Sequence, residues 1–383
     1  MQLTTGGIVA ASKVSPSRAR AGTGPTSSAV IDDQNEFVVG LLVPINGSAG
    51  IWGPSSIACA QLAQAEINAD GGLLDRRLRL RVIDSSDEAL EVGHVTGELM
   101  RSGAIDAIVG MHTSQVRQRV LRDVARQIPY VYTPLYEGGE LHARRVRIGR
   151  DAGPAVAAGD RAPDEALSRS ALDVHRQRLR VAARVAPARG ALRVSTVAER
   201  CWPIVTLPFG VEDHSELLDE IRRLRPDAIL LSLVGQDAVN FNRAFGRCGC
   251  CRATCSGLSC AIEENGLLAI RADNTDGLFV SSGYFASLDN DSNMAFKERY
   301  YNHFGQRAPT LNSLGQSTYE GMHFMAALAR RAAEGEAPLI GPLATPLPFR
   351  SVRGTRYLGN DQCLQPTYLA EARGHFFQAP VAL

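Results

Sequence analysis

Residues 37–72 are FVVGLLVPINGSAGIWGPSSIACAQLAQAEINADGG, and this stretch decides the fold class. The continuous apolar run from Phe37 to Val43 is typical of a strand that is buried on both faces. A turn-rich segment follows, and Pro54 then stands where it favours the start of a helix. Gly71 and Gly72 end that helix. The stretch therefore predicts a strand, a loop and a helix in succession.

The same alternation of strands and helices continues along most of the chain. Helical spacing of apolar residues predicts helices at 89–101, 114–127, 213–224, 237–245, 292–304 and 314–334. Apolar or alternating runs predict strands near 78–82, 104–109, 129–132, 228–233 and 277–281. Such alternation implies parallel sheets with helices on both faces. At about 150 residues per domain, 383 residues fit an α/β chain with two lobes.

Composition and motifs exclude several classes of function. The 41 basic and 40 acidic residues leave a net charge of +1, so no global field attracts nucleic acid or an anionic membrane. No apolar stretch approaches the ~20 residues that cross a bilayer. The chain has no G-x-x-x-x-G-K-[ST], no G-x-G-x-x-G after a strand, no H-E-x-x-H and no G-x-S-x-G. We therefore expect no enzyme activity, no catalytic residue and no cofactor.

Residues 141–200 break the pattern, because 13 Arg and 14 Ala account for nearly half of these 60 residues and Phe, Tyr and Trp are absent. Such a stretch cannot build the core that its length requires. Two interpretations stay open. One is a solvated, Arg-rich helical insertion, and the other is a shifted reading frame that is restored near Trp202.

Five of the eight cysteines lie between Cys248 and Cys260. Their spacing lacks the two C-x-x-C knuckles of a zinc site, and no even disulfide framework is visible, so we expect no bound metal. The run at 248–257 is open to the same frame-shift interpretation as residues 141–200.

The first 35 residues are rich in Ser, Gly, Pro and Ala, which predicts a disordered leader. The longest apolar run there, Ile8 to Ala11, is too short for the core of a signal peptide. The sequence as written therefore predicts a cytoplasmic location, whereas a mis-assigned start codon would allow a periplasmic or cell-surface one.

Four segments resemble periplasmic-type (type I) amino-acid, urea and amide solute-binding proteins. Within this family the likeness is greatest to urea-transport binding proteins and cytoplasmic amide sensors, and it covers about 37–140 and 203–378. The segments are VGLLVPINGSAGIWG (39–53), AQAEINADGGLLDRRLRL (63–80), AIVGMHTSQVRQRVLRDVARQIPYVYTPLYEGGE (107–140) and DHSELLDEIRRLRPDAILLSLVGQDAVNFNRAF (213–245).

This resemblance implies two α/β lobes joined by three hinge crossovers, with ligand held between them. Lobe 1 is expected at 36–136 plus 288–338, and lobe 2 at 137–287 plus 339–383. Ligand is expected beyond the carboxyl ends of the parallel strands.

The first candidate site follows the strand near 104–109. Thr113 and Ser114 place two hydroxyls and free backbone N–H groups at the start of a helix, which suits a carboxylate or an amide oxygen. Either residue could instead only cap the helix, but the resemblance implies that Ser114 contacts ligand. His112 is expected to contact ligand, to form the pocket wall or to act as a cap.

The second candidate site, residues 132–138, resembles the Y-P-x-x-Y-E-G segment of urea and amide binders. Tyr132, Thr133 and Tyr136 offer hydroxyls and an aromatic wall to a small polar solute. Tyr136 could also serve only as an aromatic that packs the hinge.

Lobe 2 is expected to contribute Cys260 and Ala261, which lie in the loop that contacts ligand in relatives. Glu263 and Glu264 follow, and a carboxylate there could hold an α-ammonium group or only complement the helix dipole. The segment before Trp202-Pro203 departs from the family pattern, which leaves one side of the predicted pocket in doubt.

The leading hypothesis is the binding component of an ABC-type uptake system for urea, a short amide or a branched-chain amino acid. The alternative is a cytoplasmic amide or amino-acid sensor that controls a regulatory protein. The expected partners are a small polar ligand and either an ABC permease or that regulatory protein. A homodimer is compatible with both hypotheses, and no nucleic-acid partner is expected.

Overall fold

The computed structural model describes most of both lobes. The described residues are 35–124, 127–135, 146–147, 176–182, 186–188, 191–193, 204–248, 255–336, 339–340, 343–359 and 362–383. Almost all of the predicted leader, most of the Arg-rich stretch and the predicted site residue Tyr136 lie outside these ranges.

The first sheet has five parallel strands in the order β2-β1-β3-β4-β5. They are β1 (Glu36–Val43), β2 (Arg77–Asp84), β3 (Ala107–Gly110), β4 (Tyr130–Tyr132) and β5 (Val146–Arg147). β1 lies inside the sheet, and seven of its eight residues are buried. The unbroken apolar run that predicts this strand therefore reflects burial on both faces.

Five helices flank this sheet. They are α1 (Gly53–Ala69), α2 (Ala89–Arg101), α3 (Ser114–Val124), α7 (Asp291–Phe304) and α8 (Ser313–Ala333). α1 packs along α8, α2 packs against α3, and α8 also contacts β3 and β4. The Asn312 side chain accepts a hydrogen bond from the backbone N–H of Gly315 and so caps the start of α8.

The second sheet has the strand order β16-β15-β12-β11-β10-β6-β9. Its members are β6 (Arg176–Ala182), β9 (Ile204–Pro208), β10 (Ala228–Leu231), β11 (Ser256–Ser259), β12 (Leu278–Ser282), β15 (Tyr368–Arg373) and β16 (Phe376–Ala382). Two hairpins pair β7 (Ala186–Ala188) with β8 (Ala191–Arg193) and β13 (Arg356–Gly359) with β14 (Gln362–Leu364). The helices of this lobe are α4 (Ser215–Leu224), α5 (Gly235–Arg247) and α6 (Glu264–Ile270).

Only the centre of the second sheet, β10 to β12, is parallel; β6, β9, β15 and β16 pair antiparallel. The described pieces of the Arg-rich stretch are strands, and not the helix that one interpretation predicts. In β6, RQRLRVA, Arg alternates with Leu179 and Val181, which is the period of a strand.

The chain passes between the two sheets three times, between β5 and β6, between β12 and α7, and between α8 and β15. The predicted two-lobed α/β fold is therefore confirmed, while the lobe boundaries near 136, 288 and 338 stay predictions. No described helix combines the length and hydropathy needed to cross a membrane.

Candidate ligand-binding cleft

The two lobes meet at a narrow slot beyond the carboxyl ends of β1 and β11. Lobe 1 contributes Ile51 and Trp52 from the loop after β1. Lobe 2 contributes Gly235, Ala238, Val239, Ala261, Ile262, Glu263, Gly266 and Ile270. The slot measures about 10 Å³, which is at the limit for a single water molecule. The lobes are therefore closed on one another, and any solute larger than water requires them to separate.

Several hydrogen bonds join the lobes around this slot, and three of them measure 2.6–2.9 Å. The Gln236 backbone N–H donates to Ser48 O at 2.7 Å, and Asn265 Nδ2 donates to Ile51 O at 2.6 Å. The Ser313 backbone N–H donates to Glu263 Oε2 at 2.9 Å. A Cβ on Gly235, whose φ is +55°, would lie 2.0 Å from Ser48 O. Glycine at 235 therefore permits the close approach of the lobe 1 loop to α5.

Glu263 and Glu264 form an acidic pair at the start of α6, and both are buried. Glu264 Oε1 accepts a hydrogen bond from the Ala286 backbone N–H at 2.6 Å, while its Oε2 is buried without a partner. Burial and the neighbouring Glu263 raise the pKa of Glu264 to about 8. Glu264 is therefore largely neutral at pH 7, and Glu263 is the carboxyl group that lines the slot.

His112 and Tyr132 lie in a buried network within lobe 1. His112 Nε2 is 2.8 Å from the Tyr130 hydroxyl, and the Tyr132 hydroxyl donates to His112 O at 3.1 Å. Burial, with a smaller contribution from Arg117, lowers the pKa of His112 to about 4, so the ring is neutral. Neither residue lines the slot. His112 therefore lies in the interior of lobe 1, and its predicted contact with ligand stays a prediction.

Two of the predicted hydroxyls are engaged within lobe 1. Thr113 Oγ1 accepts a long hydrogen bond, 3.5 Å, from the Val116 backbone N–H, as a cap does. Thr133 Oγ1 donates to Gly110 O at 3.1 Å. Ser114 differs from both, because it is half-buried as the first residue of α3 and its hydroxyl has no partner among the described residues.

Of the two candidates from lobe 2, Ala261 lines the slot. Cys260 is half-buried directly before it, in the loop after β11. Within the described ranges, no three His, Cys, Asp or Glu side chains are grouped as metal ligands are.

The sequence matches the family model described as periplasmic binding protein over residues 36–375, most of the chain. The chain belongs to the periplasmic binding protein family. Membership assigns the cleft to binding and not to catalysis, in agreement with the expectation of no enzyme activity.

Solved structures of other periplasmic binding proteins are similar to this one. The branched-chain amino-acid binding protein LivJ of Streptococcus pneumoniae, in complex with isoleucine, has a TM-score of 0.66 at 15% identity, and the match covers 91% of this chain and 99% of that one. A solute-binding protein of R. palustris in complex with benzoate has a TM-score of 0.65 at 17% identity, with coverage of 91% and 96%. The leucine-binding protein LivK of Thermotoga maritima has a TM-score of 0.66 at 15% identity, and the match covers 90% of this chain and 98% of that one. A comparison with curated protein sequences finds no match.

Several residues that line the slot of this periplasmic binding protein are absent from the predicted site. Ile51 and Trp52 follow β1, and Val239, Ile262 and Ile270 belong to lobe 2. The loop after β1 could have been recognised, since it follows a buried parallel strand at the carboxyl edge where ligands are expected. The lobe 2 residues carry no such signal, because apolar side chains on α5 and α6 have the spacing of ordinary core residues.

Ser114→Ala should weaken solute binding severalfold, because the free hydroxyl at the start of α3 is available to a polar ligand group. The matched control is Ser292→Ala, which removes an exposed hydroxyl from α7. Calorimetry of both variants with the best solute is the measurement. Equal affinity of the Ser114 variant and wild type would exclude Ser114 from the site.

Proposed function

We propose that this periplasmic binding protein is the solute-binding component of an ABC-type uptake system. It binds a small solute between its lobes, closes by a hinge motion, and delivers the solute to a membrane permease. The observation that carries the proposal is the apolar slot around Glu263, closed by hydrogen bonds between loops of opposite lobes.

The slot favours one of the three solutes considered from sequence. Its walls include Ile51, Trp52, Val239, Ile262 and Ile270, and among the described residues that line it Glu263 is the one acidic or basic side chain. Urea or a short amide has too little apolar surface to pack against these walls. A branched-chain amino acid would place its aliphatic side chain against them and its ammonium group near Glu263. An aromatic acid also fits the apolar walls, and the similar structures contain isoleucine and benzoate.

A panel of solutes tests this preference. Trp52 lines the slot and reports binding by fluorescence in a background that carries Trp202→Phe. We expect leucine and isoleucine to bind at least tenfold tighter than urea or acetamide, since burying an aliphatic side chain contributes about 1.5–3 kcal/mol. Tight binding of urea together with no response to leucine would contradict the preference.

Asn265→Ala tests the closure itself. The bond from Asn265 to Ile51 O joins the lobes, so it stabilises the closed conformation. We expect the bond to re-form when the lobes close over the bound solute, so its loss should raise the Kd about three- to tenfold, in line with about 1 kcal/mol for one hydrogen bond. Asn302→Ala, at an exposed position on α7, is the matched control. If both variants bind the solute as wild type does, this bond does not contribute to closure.

The alternative function is a cytoplasmic sensor whose partner is a regulatory protein. The neighbouring genes distinguish it from uptake. Permease and ATPase genes beside this one are expected for uptake. A neighbouring antiterminator or amidase gene would instead favour sensing.

A further inference from the structure

A second cavity lies between two helices of lobe 1 and the segment that follows α8, away from the cleft. It has a volume of about 130 Å³ and lies between the end of α1, the second half of α8 and residues 348–350. α1 begins next to the slot, and Asp70 at its other end lines the cavity. At 1.5 Å per residue, the 17 residues of α1 place the two sites about 25 Å apart.

Some charged groups around this cavity are already occupied. Arg350 Nη1 donates to Glu66 Oε2 at 2.8 Å, and His323 Nε2 is 3.1 Å from the same oxygen. Burial alone would raise the pKa of Glu66, but hydrogen bonds from His323 and Tyr319 and the charge of Arg299 lower it to about 2. Glu66 therefore remains ionised and holds this cluster together.

Two opposite charges in the cavity wall remain unpaired. Asp70, at the end of α1, and Arg330, on α8, both line the cavity and are exposed. Neither side chain makes a hydrogen bond or an ion pair within the described residues, and the two do not pair with each other. The apolar side chains of Ile67 and Phe349 also line the cavity.

We propose that this cavity is a second binding site, for an α-amino acid with a short apolar side chain. Arg330 would bind the carboxylate, Asp70 the ammonium group, and Ile67 and Phe349 the side chain. The volume of about 130 Å³ equals roughly four water molecules, which suits a solute of this size. A phosphate or other dianion fits less well, because Asp70 would repel it.

Hydrogen exchange of the full chain with and without L-leucine tests the proposal, because it reports the two sites on different peptides. Leucine should slow exchange in residues 323–333 and 346–353, which surround the cavity. Asp70→Asn and Arg330→Gln should each raise the leucine concentration that is needed for this protection about tenfold or more. Arg307→Gln, at an exposed position of the same lobe, should not change it.

Two analogues of leucine test the need for both charges. 4-Methylpentanoate lacks the ammonium group and 3-methylbutylamine lacks the carboxylate, so neither should protect these peptides at the concentration where leucine does. Equal protection by either analogue, or protection that survives both cavity substitutions, would overturn the proposal.

The outcome is independent of the proposed function. Protection of residues 48–53 and 261–267 alone, up to the solubility of leucine, overturns the second site and leaves the cleft proposal intact. Protection of the cavity peptides alone supports the second site and counts against a leucine-binding cleft. Protection at neither place overturns the second site.

Discussion

Glu320→Gln is expected to lower the free energy of unfolding by about 3–5 kcal/mol, because it breaks a buried charge pair. Glu320 and Arg353 are both buried, and their side chains lie 3.9 Å apart. The carboxylate of Glu320 also accepts hydrogen bonds from several donors in the segment that leaves α8. These donors are Ser351 Oγ, the backbone N–H groups of Val352 and Arg353, and Thr355 Oγ1. An amide in place of the carboxylate leaves Arg353 without its counter-charge and turns an NH₂ group toward other donors.

Denaturant unfolding of this variant measures the loss, and Glu334→Gln provides the control. Glu334 is exposed just beyond the end of α8, so its replacement should change stability by no more than about 0.5 kcal/mol. A loss below about 1 kcal/mol for Glu320→Gln would show that this pair does not hold the third crossover in place.

Glu264→Gln is expected to make the protein more stable at pH 8 and to remove part of its pH dependence. Burial, together with Glu263, raises the pKa of Glu264 to about 8 in the folded chain, against about 4.3 when unfolded. Between these values the folded state binds the extra proton, so stability is full below about pH 4.3 and falls as pH rises toward 8. A shift of this size corresponds to several kcal/mol, since one pKa unit is about 1.4 kcal/mol.

Thermal unfolding of wild type and variant between pH 5 and pH 8 measures this effect. The difference between the two proteins should grow steadily with pH. Glu298→Gln, at an exposed position on α7, should follow the wild-type curve. If wild type and Glu264→Gln show the same pH slope, Glu264 is not held neutral in the folded protein.

Much of the fold could be predicted from the sequence because parallel strands such as β1, β3 and β10 are continuous apolar runs and β2 alternates apolar with basic residues. α2 has the predicted bounds, and α8 differs from its prediction by one residue at each end. The sequence places a helix start at Glu263 and Glu264 but gives no bounds for β11 or α6: SGLS contains one aliphatic residue, and seven helical residues are too few to show a period. β13 to β16 were also missed, since their antiparallel pairing depends on partners distant in sequence.

The site was harder to predict than the fold. Ala261 lines the closed slot, as does Glu263, which was one alternative for an ammonium ligand, whereas His112, Tyr132 and Thr133 use their polar groups within lobe 1. A hydroxyl or imidazole at the end of a strand has the same sequence signature whether it faces the partner lobe or its own core. Trp52 and the apolar residues of α5 and α6 depend on how the lobes close, which local sequence does not encode.

The radius of gyration of the full chain tests hinge closure most directly. We would measure it by small-angle X-ray scattering, with and without a solute whose binding to the cleft calorimetry and Trp52 fluorescence have established. The slot of about 10 Å³ admits no solute without opening, so the free protein must sample an open form. We predict that saturating solute reduces the radius of gyration. A solute that binds in the cleft and leaves the radius unchanged would contradict closure of the two lobes around it.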